Sequence, residues 1–107
     1  MTTFDKREEA FEQQFAHDEE LRFKATARRN KLIGLWAAEK LGLKGAEAES
    51  YAKSMVMVAV EGAGDVGVAR KIRADFAAKH VVQSDHQIAR AMNELMAKAI
   101  EEIKAGS

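Results

Sequence analysis

The sequence predicts an all-α fold, and two observations support this prediction. The chain has 107 residues with no proline and only 7 glycines, so it lacks the strongest helix breaker. Apolar residues make up 47% of it, and over four segments they recur at intervals of three and four residues. We therefore expect a four-helix bundle domain over residues 19–107, preceded by an N-terminal arm over residues 1–18.

The first two helices are predicted over residues 19–41 and 46–61. Gly42 ends the first helix. The expected inner face of the first helix consists of Leu21, Ala25, Leu32, Leu35 and Trp36. The expected inner face of the second consists of Ala48, Tyr51, Ala52, Met55, Val58 and Ala59.

The third and fourth helices follow a glycine-containing loop at residues 62–64. Asp65 is the expected N-cap of a third helix over residues 66–79, whose apolar stripe is Val68, Ile72 and Phe76. Ser84 and Gln87 form a capping-box pattern before the fourth helix, which extends to residue 104. Its apolar residues are Ile88, Met92, Leu95, Met96, Ala99, Ile100 and Ile103.

Residues 1–18 carry a narrow aromatic stripe. As a helix, this arm would place Phe4, Phe11 and Phe15 within about 40° of one another, among charged and amide side chains. The stripe is too narrow for a core face, and it is typical of a helix that binds in a partner's groove. Lys6, Arg7, Glu8 and Glu12 are the candidates for polar contacts with that partner. The alternative is that the stripe extends the first helix and packs on its own domain.

Charge is unevenly distributed along a chain of zero net charge. Residues 1–20 hold seven acidic and two basic side chains, and residues 21–31 hold five basic and no acidic ones. The basic segment is expected to be a solvated helix face. Binding of nucleic acid phosphates is the less favoured interpretation, because no base-reading motif accompanies it.

Catalytic and metal sites have no strong candidate in the sequence. The absence of cysteine excludes disulfides, thiolate zinc sites and cysteine nucleophiles. His17, His80 and His86 are too scattered for a metal site, and no nucleophile is paired with a base. No apolar run reaches the roughly 18 residues of a membrane span. We therefore expect a soluble, cytoplasmic protein that is not an enzyme and has no cofactor.

One glycine pattern leaves an alternative open. Gly62, Gly64 and Gly67 have the spacing of a dinucleotide-binding fingerprint, and Asp85 lies roughly where a ribose-binding acid would fall. However, residues 55–60 continue a helical stripe instead of forming the strand that this fingerprint requires. A glycine-rich turn between helices is the favoured interpretation. A small adenine-nucleotide-binding regulatory domain is the alternative.

Several segments resemble a known family. The strings "FAHD" and "RRNKLIGLWAAE", followed by "YAKSMV", "RKIRADF" and "SDHQI", are similar to the zeta subunit family, small inhibitor proteins of the alphaproteobacterial F-type ATP synthase. The resemblance covers nearly the full chain. It implies a four-helix bundle with a mobile or partly helical N-terminal arm.

The resemblance also implies a partner and a mechanism. The arm would enter the interface of the alpha, beta and gamma subunits in the catalytic head and block ATP hydrolysis, at the inner face of the cell membrane. Some members bind ATP or ADP weakly. The expected partner-binding residues are Phe4, Lys6, Arg7, Glu8, Phe11, Glu12, Phe15 and His17.

Overall fold

The computed structural model of the chain describes residues 18–106 and confirms the all-α prediction. Its helices are α1 (Glu19–Lys40), α2 (Ala46–Val58), α3 (Gly64–Ala78) and α4 (Asp85–Gly106), and a π-helical segment at Ala59–Ala63 joins α2 to α3. These 89 residues contain no β-strand. None of the described helices is long and apolar enough to cross a membrane.

All four helices contribute to one buried core. The core residues are Ile33 and Ala37 of α1, Met55 of α2, Val68, Ile72 and Phe76 of α3, and Ile88, Ala91 and Met92 of α4. The predicted stripe of the third helix is thus fully buried. Nearer the start of α1 and the end of α4, Ala25 and Ala99 are also fully buried.

The inner face of α1 differs from the prediction. Of the five residues expected there, Ala25 is buried and the partly buried Trp36 packs against the core, whereas Leu21, Leu32 and Leu35 are only partly buried. The residues that α1 buries are Ala25, Arg29, Asn30, Ile33, Gly34, Ala37 and Ala38. The reason is a close approach of α2: a methyl group on Gly34 would lie only 2.6 Å from Cα of Ala52. The absence of a side chain at Gly34 allows this approach, and α1 therefore buries Gly34 and Ala38 with Ile33 in place of the expected Leu32 and Leu35.

The predicted end of α1 is confirmed. Gly42 has a positive φ of 80°, and its N–H donates to the carbonyl of Glu39 at 3.1 Å. The N–H of Leu43 donates to the carbonyl of Ala38 at 2.9 Å. These two bonds form a Schellman motif, which satisfies carbonyl groups at the helix C-terminus.

The predicted start of α4 is also confirmed. The backbone N–H of Gln87 donates to Oγ of Ser84 at 3.1 Å, and the backbone N–H of Ser84 donates to Oε1 of Gln87 at 2.8 Å. This reciprocal pair is a capping box. Only the length of the helix was underestimated, because α4 continues to Gly106.

The connection between α2 and α3 is a sharp turn at the predicted position. Gly62 and Gly64 have φ values of 95° and 60°, a region that side chains with a Cβ rarely adopt. The helix begins at Gly64, so Asp65 lies in its first turn and not, as predicted, at the N-cap. The Asp65 carboxylate instead accepts a hydrogen bond from Arg29.

Candidate functional site

The eight predicted partner-binding residues lie in residues 1–17, outside the described part of the chain. The structure does show where this segment joins the domain. Asp18 caps α1, and its Oδ1 accepts hydrogen bonds from the N–H groups of Glu20 at 3.0 Å and Leu21 at 3.1 Å. Its backbone is extended, with φ −101° and ψ 106°. Helix α1 therefore begins at a defined cap.

An open groove lies beside the start of α1 and has a volume of about 600 Å³. We call it the Phe23 groove. Its apolar lining comes from three helices and consists of Phe23, Ala27, Leu32, Leu35, Val56 and Ile103. The Phe23 side chain is 67% exposed. The groove thus offers apolar surface to solvent little more than one helical turn after the Asp18 cap.

Basic side chains border the Phe23 groove. Lys24, Arg28 and Lys31 of α1 line it, with Glu102 of α4 as its one acidic lining residue. Lys24 is paired with Glu20 at 3.3 Å on the same helix. Lys31 lies 3.8 Å from a carboxylate oxygen of Glu49. Among the described residues, no ion pair engages Arg28, so its positive charge is available to a ligand in the groove.

The prediction that the basic segment 21–31 is a solvated helix face is wrong at Arg29. Arg29 is only 4% exposed. Its Nη2 donates to Oδ1 of Asp65, and its Nε donates to Oδ1 of Asn30 at 2.9 Å. Arg29 therefore connects α1 to the first turn of α3. Since Lys24 and Lys31 are also paired with acids, the segment offers phosphates less positive charge than its composition suggests, which disfavours nucleic acid binding.

The glycine pattern at residues 62–67 does not have the context of a dinucleotide-binding fingerprint. Helix α2 and the π-helical segment precede it, whereas the fingerprint needs a strand there. Asp85, the candidate ribose-binding acid, is paired with Nη1 of Arg73 at 3.0 Å. Gly62 and Gly64 instead provide the positive φ angles of the turn between α2 and α3, and Gly67 lies within α3.

A polar cluster links α2 to α3 on another side of the molecule. Oη of Tyr51 donates to Oδ2 of Asp75 at 2.8 Å, and Nζ of Lys71 donates to the same carboxylate at 2.7 Å. Burial and then the bond to Asp75 raise the pKa of Tyr51. The phenol therefore remains protonated at neutral pH and serves as a hydrogen-bond donor between helices, not as a base.

No metal site is visible in residues 18–106, which hold no group of three histidine or carboxylate side chains close enough to share an ion. His80 occupies the left-handed position at the end of α3, with φ 58°. The N–H of Val81 then donates to the carbonyl of Phe76 at 2.8 Å, as in the motif that ends α1. The role of His80 in the described structure is thus to end a helix.

Comparisons with known proteins agree with this architecture. The family model described as ATPase inhibitor subunit zeta matches residues 1–102, which include the arm and nearly all of α4. A solution NMR structure of a protein 39% identical in sequence covers 81% of this chain and 99% of its own, with a TM-score of 0.71. No curated protein matches the chain. The chain belongs to the ATPase inhibitor subunit zeta family.

Proposed function

We propose that the protein is a non-catalytic regulatory subunit that binds the catalytic head of the F-type ATP synthase and inhibits ATP hydrolysis. The observation that carries this proposal is the match of the inhibitor family model to residues 1–102. Residues 1–17 are the proposed inhibitory element, and the alpha, beta and gamma subunits are the proposed partners at the catalytic interface. Bound there, the protein would lie at the inner face of the cell membrane.

The packing of the described residues supports separate roles, in which residues 18–106 form the folded core and the arm binds the partner. All four helices already contribute to a core within residues 18–106. Phe4, Phe11 and Phe15 are therefore not needed to complete that core. Apolar side chains that are not buried in their own core can be buried against a partner.

Energetics indicate what the partner must provide. Full burial of each phenylalanine ring would contribute roughly 1.5–3 kcal/mol. Fixing the backbone of an unstructured residue costs about 1–2 kcal/mol, so three rings cannot order a whole arm on their own. Lys6, Arg7, Glu8 and Glu12 are the proposed sources of additional polar contacts. Hence both the aromatic stripe and its charged flanks should be needed for tight binding.

The test compares the full chain with a chain lacking residues 1–17 on isolated catalytic heads. The truncated chain should keep its helical circular dichroism and a cooperative melting transition, because the core lies in residues 18–106. It should no longer inhibit ATP hydrolysis. Inhibition that survives truncation of a folded chain would move the inhibitory surface to the domain.

A single substitution refines this test. Phe11→Ala should weaken inhibition by about 1–3 kcal/mol in apparent affinity, since a buried aromatic anchor often dominates helix binding. Glu101→Ala, at an exposed position of α4, is the matched control and should change nothing. Titration of ATP and ADP into the full chain tests the alternative function. Saturating amide shifts centred on residues 62–68, without inhibition, would support a nucleotide-binding regulatory domain.

A further inference from the structure

We infer that the Phe23 groove is a docking site for the arm of the same chain, residues 1–17. The groove combines exposed apolar lining with a border of three basic residues. The arm combines three phenylalanines with Asp5, Glu8, Glu9 and Glu12. The occupant proposed is thus the segment of this chain that is covalently attached beside the groove.

Lengths are compatible with this docking. At a helical rise of about 1.5 Å per residue, Phe4 and Phe15 would be separated by about 16 Å along a helical arm. By the same measure, Phe23 and Leu35 are separated by about 18 Å along α1. The aromatic stripe therefore matches the apolar length of the groove.

The point of attachment also favours the arm as the occupant. Residue 17 precedes the Asp18 cap, and Phe23 lies little more than one turn into α1. An arm that reverses direction at the cap would lie along α1 over the groove. The extended backbone of Asp18 is compatible with such a reversal, whereas a helical residue there would direct the arm away from the domain.

Charges of the two segments are complementary. Glu8, Glu9 and Glu12 fall between Phe4 and Phe15, the same interval in which Lys24, Arg28 and Lys31 border the groove. Arg28 engages no acid within residues 18–106, so an arm carboxylate could pair with it without displacing another partner. The acidic Glu102 at the α4 side suits the two basic residues of the arm, Lys6 and Arg7.

Docking would regulate inhibition, and this consequence rests on the proposed function. A docked arm covers its own phenylalanines, so only the undocked fraction can enter the catalytic head. If one arm in ten were undocked, the apparent affinity for the head would be about tenfold weaker than that of an always undocked arm. The groove would thereby set the concentration at which the protein inhibits.

The decisive experiment uses the full chain with a spin label at Gln13→Cys. The chain has no native cysteine, so the label attaches at one position. As a helix, the arm would place residue 13 opposite the aromatic stripe. We expect paramagnetic broadening of signals from Ala27, Leu35 and Ile103 in the groove. Signals from Ala78 and Lys79 at the C-terminal end of α3, which lie beside Leu41 at the other end of α1, should stay sharp.

Two matched double variants separate docking from mere proximity. Phe23→Ser with Arg28→Glu should abolish the broadening in the groove, while the chain stays folded because both side chains are exposed. Val66→Ser with Arg70→Glu makes the same chemical changes at exposed positions of α3 and should leave the broadening intact. Broadening that persists in the first variant, or that is equal in the groove and on α3, would overturn the proposal.

Two further measurements complete the test. Mixing spin-labelled chains with isotope-labelled, unmodified chains should produce no broadening, and broadening there would replace the proposal by docking between two copies. On isolated catalytic heads, the Phe23→Ser, Arg28→Glu chain should inhibit at lower concentration than the unmodified chain. Unchanged or weaker inhibition would overturn the regulatory role. If neither the unmodified chain nor the Phe23→Ser, Arg28→Glu chain inhibits, while the label at position 13 still broadens the groove signals of the chain with a native groove, the proposed function fails and the docking stands.

Discussion

The apolar residues that α1 buries differ from those that line the groove. The buried face contains Ile33, Gly34 and Ala37, and α2 approaches it so closely that Gly34 has no space for a methyl group. The larger Phe23 and Leu35 instead line an open groove. Gly34 thus permits the tight helix contact, Ile33 fills the core beside it, and Phe23 and Leu35 remain accessible to a ligand. The contrast teaches that residue size alone does not identify the core face of a helix.

The largest effect is expected on the buried face, at Ile33. Ile33 is fully buried and contacts the core, so Ile33→Ala removes buried methyl groups and leaves a cavity. The free energy of unfolding should fall by about 2–5 kcal/mol, as measured by urea denaturation of the full chain. A loss below about 1 kcal/mol would show that the buried residues of α1 are loosely packed. They would then not differ in packing from the residues of α1 that line the Phe23 groove.

Gly34→Ala tests the close approach of α2 itself. The added methyl group would lie 2.6 Å from Cα of Ala52, so the helices must separate, at a cost of about 1–3 kcal/mol. This cost should exceed the gain of up to about 1 kcal/mol that alanine provides in a helix.

Gly106→Ala is the matched control for Gly34→Ala, because nothing lies within 4 Å of a methyl group built there. The thermal midpoint should fall in the first variant and not in the second. A stabilised Gly34→Ala chain would show that the helices can move apart without cost.

The sequence predicted the parts of the fold that depend on local chemistry. The capping box of Ser84 and Gln87 and the stripe of Val68, Ile72 and Phe76 have the predicted contacts or burial, since both follow from spacing along one helix. The inner face of α1 is confirmed at Ala25 and Trp36 and wrong at Leu21, Leu32 and Leu35. The difference depends on how closely α2 approaches, which no single-helix pattern contains.

Burial of Arg29 was missed for a related reason. Its partner Asp65 is 36 residues away in sequence and is brought close only by the turn after α2. The Phe23 groove is formed by three helices, so no single-helix pattern predicts it. Its one indication in the sequence was the phenylalanine within the basic segment 21–31. The predicted partner-binding residues stay a prediction, because residues 1–17 lie outside the described part.

Tyr51→Phe tests the polar contact between α2 and α3. Its effect can be compared with that of Gly34→Ala on the close contact between α1 and α2. Removing the hydroxyl deletes its bond to Asp75 and should lower the free energy of unfolding by about 1–2 kcal/mol at pH 7. The folded pKa of Tyr51 is raised above the value of about 10 in an unfolded chain. Its stabilising contribution is therefore complete below pH 10 and is lost as the pH rises above that value.

The measurement for Tyr51 is the difference in unfolding free energy between the two proteins across alkaline pH. The difference should shrink above about pH 10. Tyr51 is the single tyrosine of the chain, so its ionisation can be followed by absorbance. A difference that stays constant to higher pH would show that the phenol is not held protonated by the fold.

The smallest change in stability is expected in the groove, for Phe23→Ala. Phe23 is 67% exposed, and substitutions at exposed sites usually change stability by about 0.5 kcal/mol or less. Val66→Ala, at a side chain of equal exposure on α3, should have no measurable effect. If Phe23→Ala instead cost as much as Ile33→Ala in urea denaturation, Phe23 would be a core residue under a permanently bound arm, and the groove residues of α1 would stabilise the fold as the buried ones do.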